Sequence, residues 1–96
     1  MATFQFSYFN ISGLSNGTFL GLSALTALHL SHNKLERISA EQVAGLESLE
    51  LLYLDHNKLN WLSPAVFEVL SKLVAISLNN NQLTQLDLRL SQTALS

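Results

Sequence analysis

The sequence has no cysteine, a single proline, four glycines and few charged residues. Without cysteine there is no disulfide framework, no thiolate metal site and no cysteine nucleophile. Charged residues make up 12% of the chain, and five Lys and Arg against seven Asp and Glu leave a net charge of −2. This balance argues against a nucleic-acid-binding surface, because such a surface needs basic residues that displace the counterions of the phosphates.

Long apolar runs are also missing from the chain. No stretch reaches the roughly 18 to 20 apolar residues that span a bilayer, so we expect no membrane insertion by this segment. Residues 1–6 contain no basic residue and no continuous apolar stretch, and therefore do not resemble a secretory signal peptide. Leucine, in contrast, is abundant, at 22 of 96 residues. The hydrophobic content of 48% excludes a disordered chain and predicts one small domain or a piece of a larger one.

The leucines recur with a period of 24 residues. Three segments read L-x-x-L-x-L-x-x-N-x-L, with isoleucine for one leucine in the third, and they cover 25–35, 49–59 and 73–83. The chain is therefore interpreted as one array of four units, in which the first unit and the second half of the last are irregular. The units are 1–24, 25–48, 49–72 and 73–96.

The repeated segment has the alternation of a short strand with one buried face. Side chains of a strand point alternately to its two faces, so the Leu-x-Leu pattern at 28/30, 52/54 and 76/78 places leucine on one side. One unit cannot bury this face alone, so the units are expected to stack with their strands parallel. The same slot of three units, after the strand, holds Asn33, Asn57 and Asn81. We interpret these residues as a structural asparagine ladder, because a buried amide can pair backbone groups that the turn leaves without partners.

This motif resembles the leucine-rich repeat family, in the 24-residue form with an aromatic or aliphatic residue on the convex side, here Phe19, Val43 and Phe67. The resemblance covers nearly the whole chain. It implies an α/β solenoid: a right-handed horseshoe segment with a parallel β-sheet on the concave face and short helical or irregular convex segments. Within the family, this repeat length is common in extracellular proteins such as Toll-like receptors and small leucine-rich proteoglycans. The resemblance implies a non-catalytic protein-interaction module.

The connections between strands carry helix signals. Ser39 and Gln42 have capping-box spacing, and Ser63 precedes a proline suited to a first helical position. These signals predict a short helix or 3₁₀ turn near 40–45 and a helical turn near 64–70. Trp61 is expected to cover the turn that follows its strand.

Both ends of the array depart from the pattern. Phe9 occupies the asparagine slot of the first unit, where we expect an apolar plug, and Ser91 occupies the convex slot of the last. Residues 86–90 alternate in polarity instead of returning as a helix. Because solenoids need polar terminal caps, we interpret the chain as a fragment of a longer array and expect homo-oligomers through uncapped ends.

Outward positions of the strands form the candidate contact surface for a protein or microbial ligand on the concave face. Tyr53 beside His29, with an exposed Leu51 nearby, is the best candidate patch, since amphipathic aromatic residues are favoured at interfaces. The ligand-contact candidates are His29, His32, Leu51, Tyr53, Asp55, His56, Ser77 and Asn79.

Metal and enzyme chemistry find little support in the sequence. His32 and His56 occupy equivalent slots of neighbouring units, and a two-histidine metal site is the alternative interpretation of this pair. No cysteine or further histidine completes it, although Asp55 is adjacent, so we predict no metal and no cofactor. Without a glycine-rich phosphate loop, a nucleophile motif or a convergent pair of carboxylates, we predict no enzyme activity.

Two N-glycosylation sequons begin at Asn10 and Asn16. They favour an extracellular or cell-surface parent protein, with a cytoplasmic one left open. The favoured function is a fragment of a recognition or adhesion receptor ectodomain, of the innate immune type. The alternatives are a structural or engineered repeat block that self-assembles through its ends, and an intracellular leucine-rich-repeat scaffold.

Overall fold

The computed structural model describes residues 2–83 and 94–95. Seven strands, one 3₁₀ turn and one short α-helix occur in these residues. In chain order they are β1 (Ala2–Gln5), β2 (Leu25–His29), β3 (Arg37–Ile38), the 3₁₀ turn (Ala40–Gln42), β4 (Leu51–Tyr53), β5 (Trp61–Leu62), α1 (Val66–Val69), β6 (Ala75–Ser77) and β7 (Ala94–Leu95). The expected alternation over 86–90 and the convex slot at Ser91 lie outside the described residues.

The main sheet is a parallel ribbon with strand order β1-β2-β4-β6-β7. Its register pairs Leu28 with Leu52 and Leu52 with Ile76, so β2, β4 and β6 follow one another at one repeat in sequence. In the β6–β7 pair, Ile76 is opposite Leu95, 19 residues further on. Phe4 pairs with Leu28 in the same way at the β1 edge. The strands therefore stack as a β-solenoid of about three turns, and the prediction that the repeats share a parallel sheet is confirmed.

The core lies behind the ribbon and is built from the repeated apolar slots. Leu28, Leu54 and Leu59 are fully buried, and Ile76 is 1% exposed. Burial of each such side chain contributes roughly 1.5–3 kcal/mol, before the entropy of ordering the chain is counted. Because these leucines contact one another across unit boundaries in a single cluster, the stability of each unit depends on its neighbours.

The convex side closes the core with short helical segments, as the sequence predicts. The 3₁₀ turn starts after Ser39, whose backbone N–H donates to Gln42 Oε1 at 2.8 Å. Gln42 Nε2 in turn donates to the Leu14 carbonyl at 2.8 Å and so ties two units together. Phe19 and Val43 are buried behind the strands, and Phe67 packs against the core while half-buried. Within the described residues, no helix has the length and apolar character needed to cross a membrane.

A second, two-stranded sheet was not expected. β3 and β5 pair in parallel, with Arg37 opposite Trp61 and Ile38 opposite Leu62. The Arg37 guanidinium carbon lies 4.8 Å from the centroid of the Trp61 ring, within reach of a cation–π contact. Trp61 therefore belongs to a strand that joins successive units.

The first unit corrects one prediction. Phe9 is 63% exposed, so it is not the apolar plug that its slot suggested. Asn33 Oδ1 in the next unit accepts the backbone N–H groups of Phe9 and Ile11 at 3.1 and 2.9 Å. The bond from Ile11 repeats the one that Asn57 accepts from Leu35. The Phe9 ring instead lies edge-on to Phe6, with centroids 6.1 Å apart. Beside these rings, an apolar hollow of about 220 Å³ is lined by Phe4, Phe6, Ile11, Leu14, Thr18, Phe19, Leu22 and Leu30.

Candidate functional site

After β1, β2, β4 and β6, the chain passes through a residue in the left-handed backbone region. Tyr8, His32, His56 and Asn80 have φ angles of 66, 56, 57 and 59°. Histidine and asparagine are among the residues found in this region more often than others, whereas tyrosine there is unusual. The backbone N–H of His32 donates to the Asp55 carbonyl at 3.1 Å, and that of His56 to the Asn79 carbonyl at 3.0 Å. These bonds to the following unit hold the turns in register.

The side chains of this slot stack into what we call the ring column, formed by Tyr8, His32 and His56. The Tyr8 and His32 centroids are 4.3 Å apart with the rings 11° from parallel, and the His32 and His56 centroids are 4.2 Å apart at 8°. The Asn80 amide nitrogen extends the column and lies 3.2 Å from His56 Nε2. The column follows from the fold, because equivalent slots of neighbouring strands are separated by about one strand spacing, ~4.8 Å.

A second pair of rings lies on the strands themselves. His29 in β2 and Tyr53 in β4 are register partners, and their rings stack with centroids 4.3 Å apart at 8°. Both side chains are half-buried, and so is the next residue in this row, Ser77. The structure thus brings His29 and Tyr53 together. Leu51, which the sequence placed in this patch as an exposed residue, is half-buried, so it offers less contact area than expected.

Along the sequence, polar residues lie between each ring residue of the strand pair and the ring-column residue that follows it. The Ser31 hydroxyl donates to Asp55 Oδ1 at 2.5 Å, and Asp55 Oδ2 lies 3.9 Å from His56 Nε2. The side chains of His56 and Asp55 are 43% and 20% exposed. Further along the row, the Ser77 hydroxyl donates to Asn79 Oδ1 at 3.4 Å. The surface therefore combines fixed aromatic rings with hydroxyl, amide and carboxylate groups.

The three asparagines of the repeat lie beneath this surface and bind backbone groups of two units each. Asn57 Nδ2 donates to Leu30 O at 2.9 Å in the preceding unit and to Leu54 O at 3.0 Å in its own. Asn81 Nδ2 does the same with Leu54 O and Leu78 O at 2.9 and 3.0 Å. Asn33 Nδ2 donates in the same way to Phe6 O in the first unit and to Leu30 O in its own, both at 3.0 Å. The amides thereby connect the turns of adjacent strands and fix the position of the ring column above them.

The two sequon asparagines are on the outside of the molecule. Asn10 and Asn16 are both exposed. Asn10 has a φ of 62° and Asn16 precedes the left-handed Gly17. Both side chains are therefore accessible in the first unit, at the end of the ribbon that β1 forms.

One grouping on the surface was considered in the sequence and set aside there. His32, Asp55 and His56 each offer a ligand atom, and these three atoms lie within 4.8 Å of one another. Part of this grouping is visible in the sequence, since the histidines share a slot of the repeat and Asp55 precedes one of them. What it did not reveal is that the aspartate reaches toward both rings.

The parallel ribbon, the turn asparagines and the one-repeat register define a solenoid of stacked leucine-containing units. A family model described as leucine rich repeat matches residues 5–59, more than half of the chain. The chain belongs to the leucine-rich repeat family. The sequence has no significant match among curated proteins. Members of this family are generally non-catalytic interaction modules, and the domain indicates a protein-interaction role for this chain.

Proposed function

We propose that this chain is a non-catalytic binding segment that contacts a protein or microbial ligand through the outward face of β2, β4 and β6 and the adjoining ring column. The observation that carries the proposal is the stacked pair of His29 and Tyr53. Stacking holds both rings in place before a ligand arrives, so less side-chain entropy is lost on binding. Tyrosine also combines apolar contact area with a hydrogen-bonding hydroxyl, which suits the centre of an interface.

The surroundings of the ring pair favour a specific contact. Asp55, Ser77 and Asn79 supply a carboxylate, a hydroxyl and an amide beside an aromatic centre, an arrangement in which polar groups give orientation and the rings give area. The side chain of Asp55 is held by its hydrogen bond from Ser31. We infer that these residues form the rim of the contact and that His29 and Tyr53 form its centre.

We further propose an extracellular setting, as part of a recognition or adhesion receptor of the innate immune type. Two observations support it: the 24-residue repeat length, and the exposure of both sequon asparagines, Asn10 and Asn16. Secretion of the chain from a eukaryotic host tests this setting. A mass decrease on enzymatic removal of N-glycans, lost in an Asn10→Gln and Asn16→Gln double variant, is expected; secreted chain without any glycan would contradict it.

The binding face is tested with matched variants. Tyr53→Ser introduces serine, the residue type found at Ser77, which is the register partner of Tyr53 in β6. The strand is therefore expected to be preserved. Glu47→Ala is the control, since Glu47 is exposed on the connection that returns to β4. The immobilised chain is screened by surface plasmon resonance against recombinant receptor ectodomains and purified microbial surface molecules. A binder should lose at least about tenfold in affinity with Tyr53→Ser and keep it with Glu47→Ala; the reverse pattern would refute this face.

Self-association is a second candidate, favoured by the first unit. Phe4 and Phe6 are 36% and 37% exposed beside the apolar hollow that they line. Apolar groups exposed next to a strand edge favour contact with a second copy. Under this proposal the chain associates through β1, and the ring face remains free for another partner.

A further inference from the structure

We propose that His32, Asp55 and His56 form a binding site for a divalent transition-metal ion of the zinc type. One ligand atom from each residue lies within 4.8 Å of the other two. Two imidazoles and a carboxylate form a donor set that suits zinc and its neighbours, whereas calcium and magnesium prefer oxygen ligands alone. Three protein ligands also leave a coordination position for water or for a group of a partner molecule.

The backbone holds the two histidines in position for this role. Both have left-handed φ angles, of 56 and 57°, and both are tied by their N–H groups to the following unit. Their side chains therefore leave the chain in the same direction, one strand apart. Tyr8 stacks on His32 and limits the directions in which that ring can turn.

The carboxylate is also supported. Ser31 donates a hydrogen bond to Asp55 Oδ1, while Oδ2 faces His56 Nε2 at 3.9 Å. One oxygen is thus engaged with the hydroxyl and the other is directed toward the histidine. Outer hydrogen bonds of this kind orient the ligands of metal sites and raise their affinity.

Metal binding requires a small rearrangement of the ring column. Zinc–ligand distances of about 2.0–2.2 Å place tetrahedral ligand atoms roughly 3.3–3.6 Å apart, whereas the three ligand atoms lie within 4.8 Å of one another. The cluster must therefore contract. The stacked rings must also fan apart, because ring nitrogens in parallel planes cannot both aim at one ion. His56 is the ring that can move, since its side chain is 43% exposed and its amide contact with Asn80 lies on the surface.

Isothermal titration calorimetry with zinc chloride at neutral pH tests the site. His56→Asn removes a ligand and is matched to the fold, because Asn80 occupies the equivalent slot with a φ of 59°. His29→Gln is the control, since it removes a histidine that lies outside the cluster. Glutamine is chosen because Gln5 is the register partner of His29 in β1. We expect one zinc per chain, a loss of at least about tenfold in affinity with His56→Asn, and a change below about twofold with His29→Gln.

A second measurement keeps the test decisive if His56→Asn unfolds. Asp55→Asn retains the shape of the side chain and should also lose at least about tenfold in zinc affinity. In nitrogen-15 spectra of the wild-type chain, zinc should shift the ring nitrogens of His32 and His56 and leave those of His29 unchanged. No zinc binding by the folded wild-type chain up to millimolar concentration, or equal shifts at all three histidines, would overturn the proposal.

Discussion

Replacing Asn57 by alanine should strongly destabilise the solenoid. Asn57 is 7% exposed and makes four hydrogen bonds with backbone groups. Three of them go from Nδ2 to the carbonyls of Leu30, Leu54 and Asp55, and one is accepted by Oδ1 from the Leu35 N–H at 3.1 Å. The substitution removes all four together.

The magnitude depends on which groups lose every partner. Leu30 O still accepts from Asn33 Nδ2 at 3.0 Å, and Leu54 O from Asn81 Nδ2 at 2.9 Å. The carbonyl of Asp55 still accepts the His32 N–H. The Leu35 N–H has no such substitute among the hydrogen bonds of the described residues. A buried N–H group left without a hydrogen-bond partner costs about 1–3 kcal/mol. Each of the other lost hydrogen bonds, whose acceptors keep a second donor, adds about 0.5–1.5 kcal/mol at most. We therefore expect a loss of about 3 kcal/mol.

Urea denaturation followed by Trp61 fluorescence measures this loss. With a slope of about 1.5 kcal/mol per molar, typical of small proteins, 3 kcal/mol lowers the midpoint by about 2 M. The control is Asn60→Ala, an exposed asparagine whose replacement should cost less than about 0.5 kcal/mol. Equal midpoints for the two variants would refute the reasoning that the buried amide supports the turn.

Three further substitutions test the fold and the first unit. Gly45→Ala should lower the free energy of unfolding by more than about 1 kcal/mol, because Gly45 has a φ of 101° and an added Cβ would lie 2.8 Å from backbone atoms of the first unit. The control is Gly13→Ala, since an added Cβ at Gly13 would have nothing within 4 Å. Equal melting temperatures of the two variants in thermal unfolding would contradict the close approach at Gly45. Leu54→Ala should lower the free energy of unfolding by about 2–5 kcal/mol, because the Leu54 side chain is fully buried. Replacement of Val74 by alanine is the control and should cost less than about 0.5 kcal/mol, because Val74 is 58% exposed. Similar urea midpoints for the two variants would count against the assignment of Leu54 to the core. Phe6→Ser should reduce the self-association seen by sedimentation velocity over a concentration series, and a wild-type chain that stays monomeric throughout would exclude contact through β1.

The ribbon could be predicted from the sequence because its causes are periodic. Leu28, Leu52 and Ile76 share a slot, and only parallel stacking buries all of them, so the register follows from the repeat. The 3₁₀ turn at Ala40–Gln42 was predictable for a local reason, since its cap residue, Ser39, precedes it in sequence. Helix α1 lies within the predicted range 64–70 but starts at Val66 with Ala65 at the N-cap, so the proline is not its first helical residue.

The candidate site was only partly predictable. Its members could be named from their slots, but the ring stacks depend on the left-handed backbone at His32 and His56 and on the side-chain directions that follow from it. The approach of Asp55 depends on a hydrogen bond from another unit. The Phe9 N–H likewise donates to the amide oxygen of Asn33, which belongs to the next repeat. Interactions between units are invisible when each repeat is considered separately.

Nuclear Overhauser measurements on the labelled chain test the central claim most directly. The account predicts cross-strand contacts between backbone protons of residues near 28 and 52 and near 52 and 76, in the pattern of parallel strands, together with ring-to-ring contacts that join Tyr8 to His32 and His32 to His56. An antiparallel pattern, or contacts confined to residues within one 24-residue unit, would contradict it.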